Sequence, residues 1–258
     1  MSSTDEKMPG LDQPQLTEEE EAELAELMKP PDLAPGSSEP SNEIVSGLWL
    51  GDSTAARAAS AEGGDELSTR AILNAAHAGP PGHIDGTPGH DVDALLGRGM
   101  EYLELDIKDG SVAAEPLPAF LEAGADFIKR CLDDGKSPVL VHCSAGKSRS
   151  TCMVLGYLMK HRGMSLREAM VLTRSKRQRA YPLLKFWKEL LDWEASMGCP
   201  RSIPESALAL HSEATAGKGG LQDAVSQLVA LGFGEAAALA ALQANGGDVT
   251  AAANALFG

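Results

Sequence analysis

The stretch Val139-Leu140-Val141-His142-Cys143-Ser144-Ala145-Gly146-Lys147-Ser148-Arg149-Ser150 decides how the rest of the chain is read. Val139 to His142 has the character of a buried strand, small turn-forming residues follow, and an apolar helical run extends from Thr151 to Met159. A strand, a tight loop and a helix N-terminus bring backbone N–H groups and the positive end of a helix dipole onto one point, an arrangement that suits an anion. Cys143 lies in the floor of that site. Its thiol is expected to ionise readily there, because converging N–H donors, the dipole and the Arg149 guanidinium all favour a thiolate. Arg149 returns to the same cup after five intervening residues and can offer paired donors to two oxygens of one phosphate, which lysine does less well. The pattern therefore predicts a thiolate nucleophile and a phosphate monoester. Gly146-Lys147-Ser148 also suggests a nucleotide-binding loop, but that motif needs a glycine where this chain has Val141. The plainer alternative, a small buried hydrophobe after a core strand, leaves the spacing of His142, Gly146, Arg149 and Ser150 without a reason.

The run His142 to Ser150 resembles the HCxxGxxRS signature of the cysteine-dependent protein phosphatases, and the sequence from about Asn42 to Ser196 resembles their dual-specificity branch. The resemblance implies an α/β fold, with a central mixed sheet flanked by helices, and a two-step reaction through a phosphocysteine. It implies no metal and no other cofactor. Cys143 would be the nucleophile, with the backbone of Ser144, Ala145, Gly146, Lys147, Ser148 and Arg149 holding the phosphoryl group. Ser150 would stabilise the Cys143 thiolate as it leaves, although its hydroxyl could equally cap the following helix. His142 would order the loop and tune the thiolate. The chemistry also needs an acid on a facing loop to protonate the departing oxygen. Asp109 matches the family's general acid; Asp106 competes, though its place near a strand end favours a structural role. Lys147 is either a further source of positive potential or a plain exposed lysine.

Composition sets the frame. The chain has 258 residues, 43% of them hydrophobic, and no long uninterrupted apolar run or signal-like N-terminus, so a soluble cytoplasmic or nuclear protein without a membrane anchor is expected. Its four cysteines, Cys131, Cys143, Cys152 and Cys199, have neither metal-ligand spacing nor disulfide-rich density. The net charge of −15 is concentrated at the ends. Residues 1–40 hold 11 acids against 2 bases, whereas residues 41–201 are nearly balanced, with 21 acids and 19 bases. Nothing in this balance suggests nucleic-acid binding.

Four segments are expected: an acidic, largely disordered stretch over 1–41, a phosphatase domain over 42–198, a linker over 199–220 and a helical module over 221–258. Within the first, Thr17 and Glu20 could form a capping box before a short apolar face at Leu24, Leu27 and Met28; a docking helix for a partner and a solvated acidic tail are the two readings. Helices are expected over 55–67, 117–132, from Ser150 to His161, after Ser165 and over 182–197, and strands over 70–76 and 100–106. His77, His83, His90, Asp85, Asp91 and Asp93 lie in a polar insertion without regular ligand pairing, so a surface insertion is expected rather than a metal site. The basic run Arg174, Lys176, Arg177, Arg179 taken alone suits a nucleic-acid or acidic-lipid patch; the resemblance places it beside the catalytic loop, with Arg177 where the family has an arginine before the proline, and implies that it helps attract acidic, phosphorylated substrates. In the last helix of the domain, Leu183 replaces the family's usual asparagine and Glu189 its glutamine.

The C-terminal residues from Leu221 read as three short helices, 222–230, 235–244 and 249–256, which need a compact shared core. They resemble a ubiquitin-associated (UBA) domain. The resemblance implies a ubiquitin-binding patch formed by Leu231, Gly232 and Phe233, with Leu256 and Phe257 completing it; Leu231 stands where the family has methionine. An alanine-rich tail packed on the catalytic domain is the alternative. Taken together, these readings predict a phosphatase acting on phosphotyrosine and phosphoserine or phosphothreonine in proteins, with phosphorylated protein substrates and ubiquitin as partners. A phosphatase-shaped adaptor without turnover, and the same chemistry on a non-protein phosphate monoester, are the competing readings.

Overall fold

The computed structural model describes residues 17–32, 39–76, 91–107, 116–208, 228, 235–245, 252–253 and 255–256. Its centre is a five-stranded sheet of order β1-β2-β5-β3-β4, where β1 is Ser41–Val45, β2 Leu48–Gly51, β3 Ala71–Asn74, β4 Glu101–Glu104 and β5 Val139–His142. β1 runs antiparallel to β2 and the other neighbours are parallel, giving the mixed sheet expected. All four residues of β5 and all four of β3 are buried, as continuous apolar runs covered on both faces should be.

One face of the sheet is covered by α2 (Ser53–Ser60) and α3 (Val92–Gly97). There Ala55, Ala56, Ala59 and Leu95 pack with Ile72, Met100 and Leu140. α2 ends earlier than the sequence suggested, before Gly63 and Gly64, which lower helical stability. Its start is fixed by Asp52, whose carboxylate accepts from Thr54 and Ala55 N–H at 2.8 and 3.2 Å.

α4 (Leu117–Asp133) and α5 (Arg149–Arg162) pack closely beside the sheet. A Cβ on Gly124 would lie 2.8 Å from Met153 Sδ, and one on Gly156 would lie 3.1 Å from Leu121, so two glycines permit the close approach. α6 (Leu166–Lys176) begins with the expected capping box between Ser165 and Glu168, and α7 (Leu184–Ser196) buries Phe186, Trp187, Leu190, Leu191 and Trp193.

Two terminal segments differ from expectation. Glu18–Leu27 forms a helix, α1, that starts with the Thr17–Glu20 capping box, and Leu24, Leu27 and Met28 are buried. The apolar side chains, which a solvated acidic tail would leave in water, supply the burial that an isolated helix lacks. Beyond α7, the start of the expected linker is held by polar contacts. Glu194, only 1% exposed, accepts from Ser202 N–H and Oγ–H at 2.9 and 2.7 Å and from Leu166 N–H at 2.7 Å, while Ile203 is fully buried.

The chain forms two compact units: one includes Pro31–Glu205, the other joins Ala22–Pro30 with Ser206–Gly258. In the second, Glu235–Ala244 is helical, here called α8, and Leu228, Ala252, Ala253, Ala255 and Leu256 are also in helices. Leu228, Ala238, Leu242 and Ala252 make a buried cluster against which Ala241, Ala253 and Leu256 pack. No helix among the described residues is long and apolar enough to cross a membrane.

Candidate active site

β5 delivers the site. Its central place in the sheet fixes His142 between Gly51 of β2 and Asn74 of β3, and the chain then leaves the sheet edge at Cys143. His142 is fully buried, and its carbonyl accepts from Ala75 N–H at 2.8 Å. Cys143 is 2% exposed and its Sγ lies 3.1 Å from Ser150 Oγ. Ser150 therefore sits inside α5 facing the sulfur; it does not cap the helix. The N-cap position belongs to Ser148, whose hydroxyl makes no capping bond and instead accepts from Leu183 N–H at 3.0 Å.

Four of the loop's carbonyls turn outward, each onto a donor. Ser144 O accepts from Ser53 N–H (3.0 Å), Gly146 O from Arg177 Nε–H (2.9 Å), Lys147 O from Tyr181 N–H and Thr151 Oγ–H (2.7 Å each), and Ser148 O from Cys152 N–H (3.0 Å). The sole cis peptide among the described residues is Ser137-Pro138, so these peptides are trans. In a trans peptide the N–H opposes the C=O. The N–H groups of Ala145, Lys147, Ser148 and Arg149 consequently point to the concave side, the arrangement an anion needs. Gly146 makes the turn possible: its φ is +59°, and a Cβ there would lie 2.5 Å from Gly51 O. Ala145 is exposed and Ser144 and Lys147 half-buried, so the loop opens to solvent.

Arg149 is 2% exposed. One terminal nitrogen donates to Ser144 Oγ at 2.9 Å and the other to Ile107 O at 3.3 Å. The guanidinium thus spans from the start of its own loop to the segment that follows β4. Asp106 in that segment is exposed, and Asp109 lies outside the described residues. The far end of the segment is also fixed. α4 begins at Pro116 without a side-chain cap of its own, and Glu189 of α7 accepts from Leu117 N–H at 2.6 Å. The Glu189 carboxylate thereby takes the capping role at a helix N-terminus, which the sequence left unassigned.

Arg177 corrects the reading of the basic run. It is 1% exposed and stands behind the loop, so it cannot present its charge to a substrate from the surface. Nε–H donates to Gly146 O, while Nη1–H donates to Asn42 Oδ1 at 2.7 Å and Glu39 O at 3.1 Å. Burial, with the nearby Arg179 cation, pushes its guanidinium down to about 10. Arg179 pairs with Asp52 at 3.5 Å. Lys147 Nζ and Arg174 Cζ lie 5.5 and 5.7 Å from the Tyr181 ring centroid, within cation–π range. Leu183, in place of the family's asparagine, exposes its side chain; its backbone N–H still braces the loop through Ser148.

Asn74 was also missed by sequence reading. It is fully buried, accepts from Ala76 N–H at 3.0 Å, and directs its amide to Tyr102 Oη and Glu104 Oε2, both at 3.4 Å. Tyr102 donates to Glu104 at 2.6 Å, and burial first, then that carboxylate, raises its phenol well above the usual range. The only sequence signal was a polar residue ending an apolar strand.

Among the described residues no group of three or more His, Cys, Asp or Glu is placed to hold a metal. Asp91 caps α3, and His77, His83, Asp85 and His90 lie outside the described residues. Of the expected ubiquitin patch, Leu256 is described and packs on the helical cluster; Leu231, Gly232, Phe233 and Phe257 lie outside.

Comparison with known proteins agrees with this geometry. Dual specificity protein phosphatase 26 of Bos taurus is 35% identical over 128 residues, covering 50% of this chain and 55% of that protein. Dual specificity protein phosphatase 1 of Arabidopsis thaliana is 44% identical over 81 residues, covering 31% and 40%. The chain spans about half the length of the curated relatives it matches. Among solved structures, human DUSP28 aligns with a TM-score of 0.50 at 28% identity, over 62% of this chain and 97% of that one. A mouse putative dual specificity phosphatase complexed with zinc tungstate aligns with a TM-score of 0.50 at 26% identity, over 64% and 93%. The UBA/TS-N domain profile matches residues 221–256. The profile of the dual specificity phosphatase catalytic domain matches residues 54–196, more than half of the sequence, and the chain belongs to that family.

Proposed function

We propose that the protein hydrolyses phosphate monoesters on tyrosine and on serine or threonine of protein substrates, through a phosphocysteine, and that its C-terminal domain binds ubiquitin. The observation that carries the reading is the contact of 3.1 Å between Cys143 Sγ and Ser150 Oγ in the floor of a loop four of whose carbonyls are held by donors outside the cup. In the first step the Cys143 sulfur attacks phosphorus and the P–O bond to the side-chain oxygen breaks, while Asp109 gives its proton to that oxygen. The inward N–H groups and Arg149 hold the three non-bridging oxygens as charge shifts among them. In the second step Asp109 takes a proton from water, the water oxygen attacks phosphorus, and the S–P bond breaks. The Ser150 hydroxyl donates to the departing thiolate. The protein needs no cofactor for either step.

That a similar mouse putative dual specificity phosphatase was crystallised as a complex with zinc tungstate supports an oxyanion as ligand. The UBA profile at 221–256 supports ubiquitin or ubiquitinated proteins as partners, with Leu231, Gly232, Phe233, Leu256 and Phe257 as the contact patch. The deciding measurement is phosphate release from a peptide phosphorylated on both Thr and Tyr, by wild type and Cys143→Ser, with a metal chelator present. Release from both residues by wild type and none by the variant is the expected result. A folded wild-type protein that releases phosphate from no phosphopeptide but binds phosphopeptide and ubiquitin would make it an adaptor.

A further inference from the structure

We infer that Arg177 is a positioning residue of the phosphate cup: from behind the loop it fixes the Gly146-Lys147 peptide so that the Lys147 N–H faces the anion. The inference rests on the phosphatase reading for its chemistry but on geometry for its content. Of the four outward carbonyls, those of Ser144, Lys147 and Ser148 are held by backbone N–H groups, with a Thr151 hydroxyl added. Gly146 O is held by a charged side chain. Gly146 is also the residue with φ of +59°, where a peptide unit flanked by glycine rotates most freely. The least constrained peptide of the loop therefore has its orientation set by Arg177.

The guanidinium can do this because it is anchored on its other side. Nη1 donates to Asn42 Oδ1 and Glu39 O, in and just before β1, while Nε reaches the loop. A lysine has one nitrogen at the end of a flexible stem and cannot span the two in fixed geometry. The remaining nitrogen, Nη2, is buried with no hydrogen-bond partner among the described residues and lies 2.6 Å from where a Gly146 Cβ would be. The loop is thus packed against this cation with no room for a side chain between them. The other charged side chains near Arg177 are Arg179 on the segment after α6 and Asp52 at the start of α2.

The test compares Arg177→Met, Arg177→Lys and Asn42→Ala with wild type in the full chain, using two readouts besides turnover. One is the affinity for inorganic tungstate. The other is the protection that bound tungstate gives Cys143 against alkylation by iodoacetate, in which the sulfur displaces iodide. Arg177→Met should weaken tungstate binding by about tenfold to a hundredfold, the range of one charge-assisted hydrogen bond, with protection needing correspondingly more tungstate. Arg177→Lys should restore little of the affinity, since it returns charge without the fork. Asn42→Ala should weaken tungstate binding by a smaller factor. A folded Arg177→Met, judged by its melting, with wild-type affinity and protection would overturn the inference; if that variant fails to fold, the lysine and alanine variants decide in the same way. Wild type that binds tungstate but hydrolyses no phosphoester, with affinity lost in the variants, would sustain the role of Arg177 and overturn the phosphatase reading alone. Wild type that neither binds tungstate nor has Cys143 protected by it would overturn both.

Discussion

The loop from Cys143 to Arg149 and the small helical unit at the C-terminal end are held together by different physics. The loop has almost no local regularity: four of its carbonyls are satisfied by Ser53 of α2, by the adjoining α5, and by Arg177 and the Tyr181 backbone further along the chain. The helical unit rests on a cluster of Leu228, Ala238, Leu242 and Ala252, apolar side chains with no polar bookkeeping to close. A backbone that must aim its N–H groups at a ligand cannot use them in a ladder, so its C=O groups need partners from elsewhere. A module whose task is to present a surface needs only a core that holds helices in place. Damage should accordingly be sharp and chemical in the first region, graded and thermodynamic in the second.

The most severe test of that contrast is Gly146→Ala. One methyl group meets Gly51 O at 2.5 Å in a left-handed backbone, so tungstate affinity and turnover should fall by at least about a hundredfold, and a variant binding tungstate like wild type would break the comparison. Asp109→Ala comes next. Loss of a general acid costs about 10² to 10⁴ in rate, and the loss should be greater for substrates with poor leaving groups; equal losses for good and poor leaving groups would move the role to Asp106. In the helical unit, Leu242→Ala should cost about 2 to 4 kcal/mol. That is enough to unfold a module of this size, so ubiquitin capture should disappear while phosphate release from a free phosphopeptide stays unchanged.

The smallest effect is expected from Tyr102→Phe, which removes the phenol held by Glu104 and leaves the rest of the Asn74 network. The cost at pH 7 should be about 1 kcal/mol. Burial and Glu104 raise the folded-state value of this phenol, so the protonated form is the stabilising one. Its contribution is complete below the unfolded tyrosine value of about 10 and is lost as the pH rises from there through the higher folded value. Urea unfolding of both proteins across pH 7 to 11 should bring the two midpoints together at the alkaline end.

Much of this was legible in the chain. The strand Val139–His142 and the glycine at 146 follow from local spacing, and the Cys143–Ser150 relation was implied by the family resemblance, because all of these lie within a single strand-loop-helix unit. The capping boxes at Thr17 and Ser165 were readable for the same reason. Arg177, Asn74 and Glu189 were not. Each acts on a group far along the sequence: Arg177 on Asn42 and Gly146, Asn74 on Tyr102, Glu189 on Leu117. In a run of Arg, Lys, Gln and Ser, nothing local distinguishes the buried arginine from its exposed neighbours Lys176 and Gln178. α1 was underestimated because its capping signals are local whereas the burial of Leu24, Leu27 and Met28 is not.

The bracing of Gly146 O by way of Asn42 and Glu39 also bears on where this domain can be cut. The family profile begins at residue 54, after β1 and β2. A fragment excised at that border would keep every residue of the HCxxGxxRS signature and yet leave Arg177 without the two acceptors that steady it. At the other border, a stop at residue 196 would remove Ser202 and uncover the Glu194 carboxylate beneath it. The shortest piece that keeps these contacts therefore runs from Glu39 to Ser202, and boundaries drawn from sequence similarity alone would amputate it at both ends.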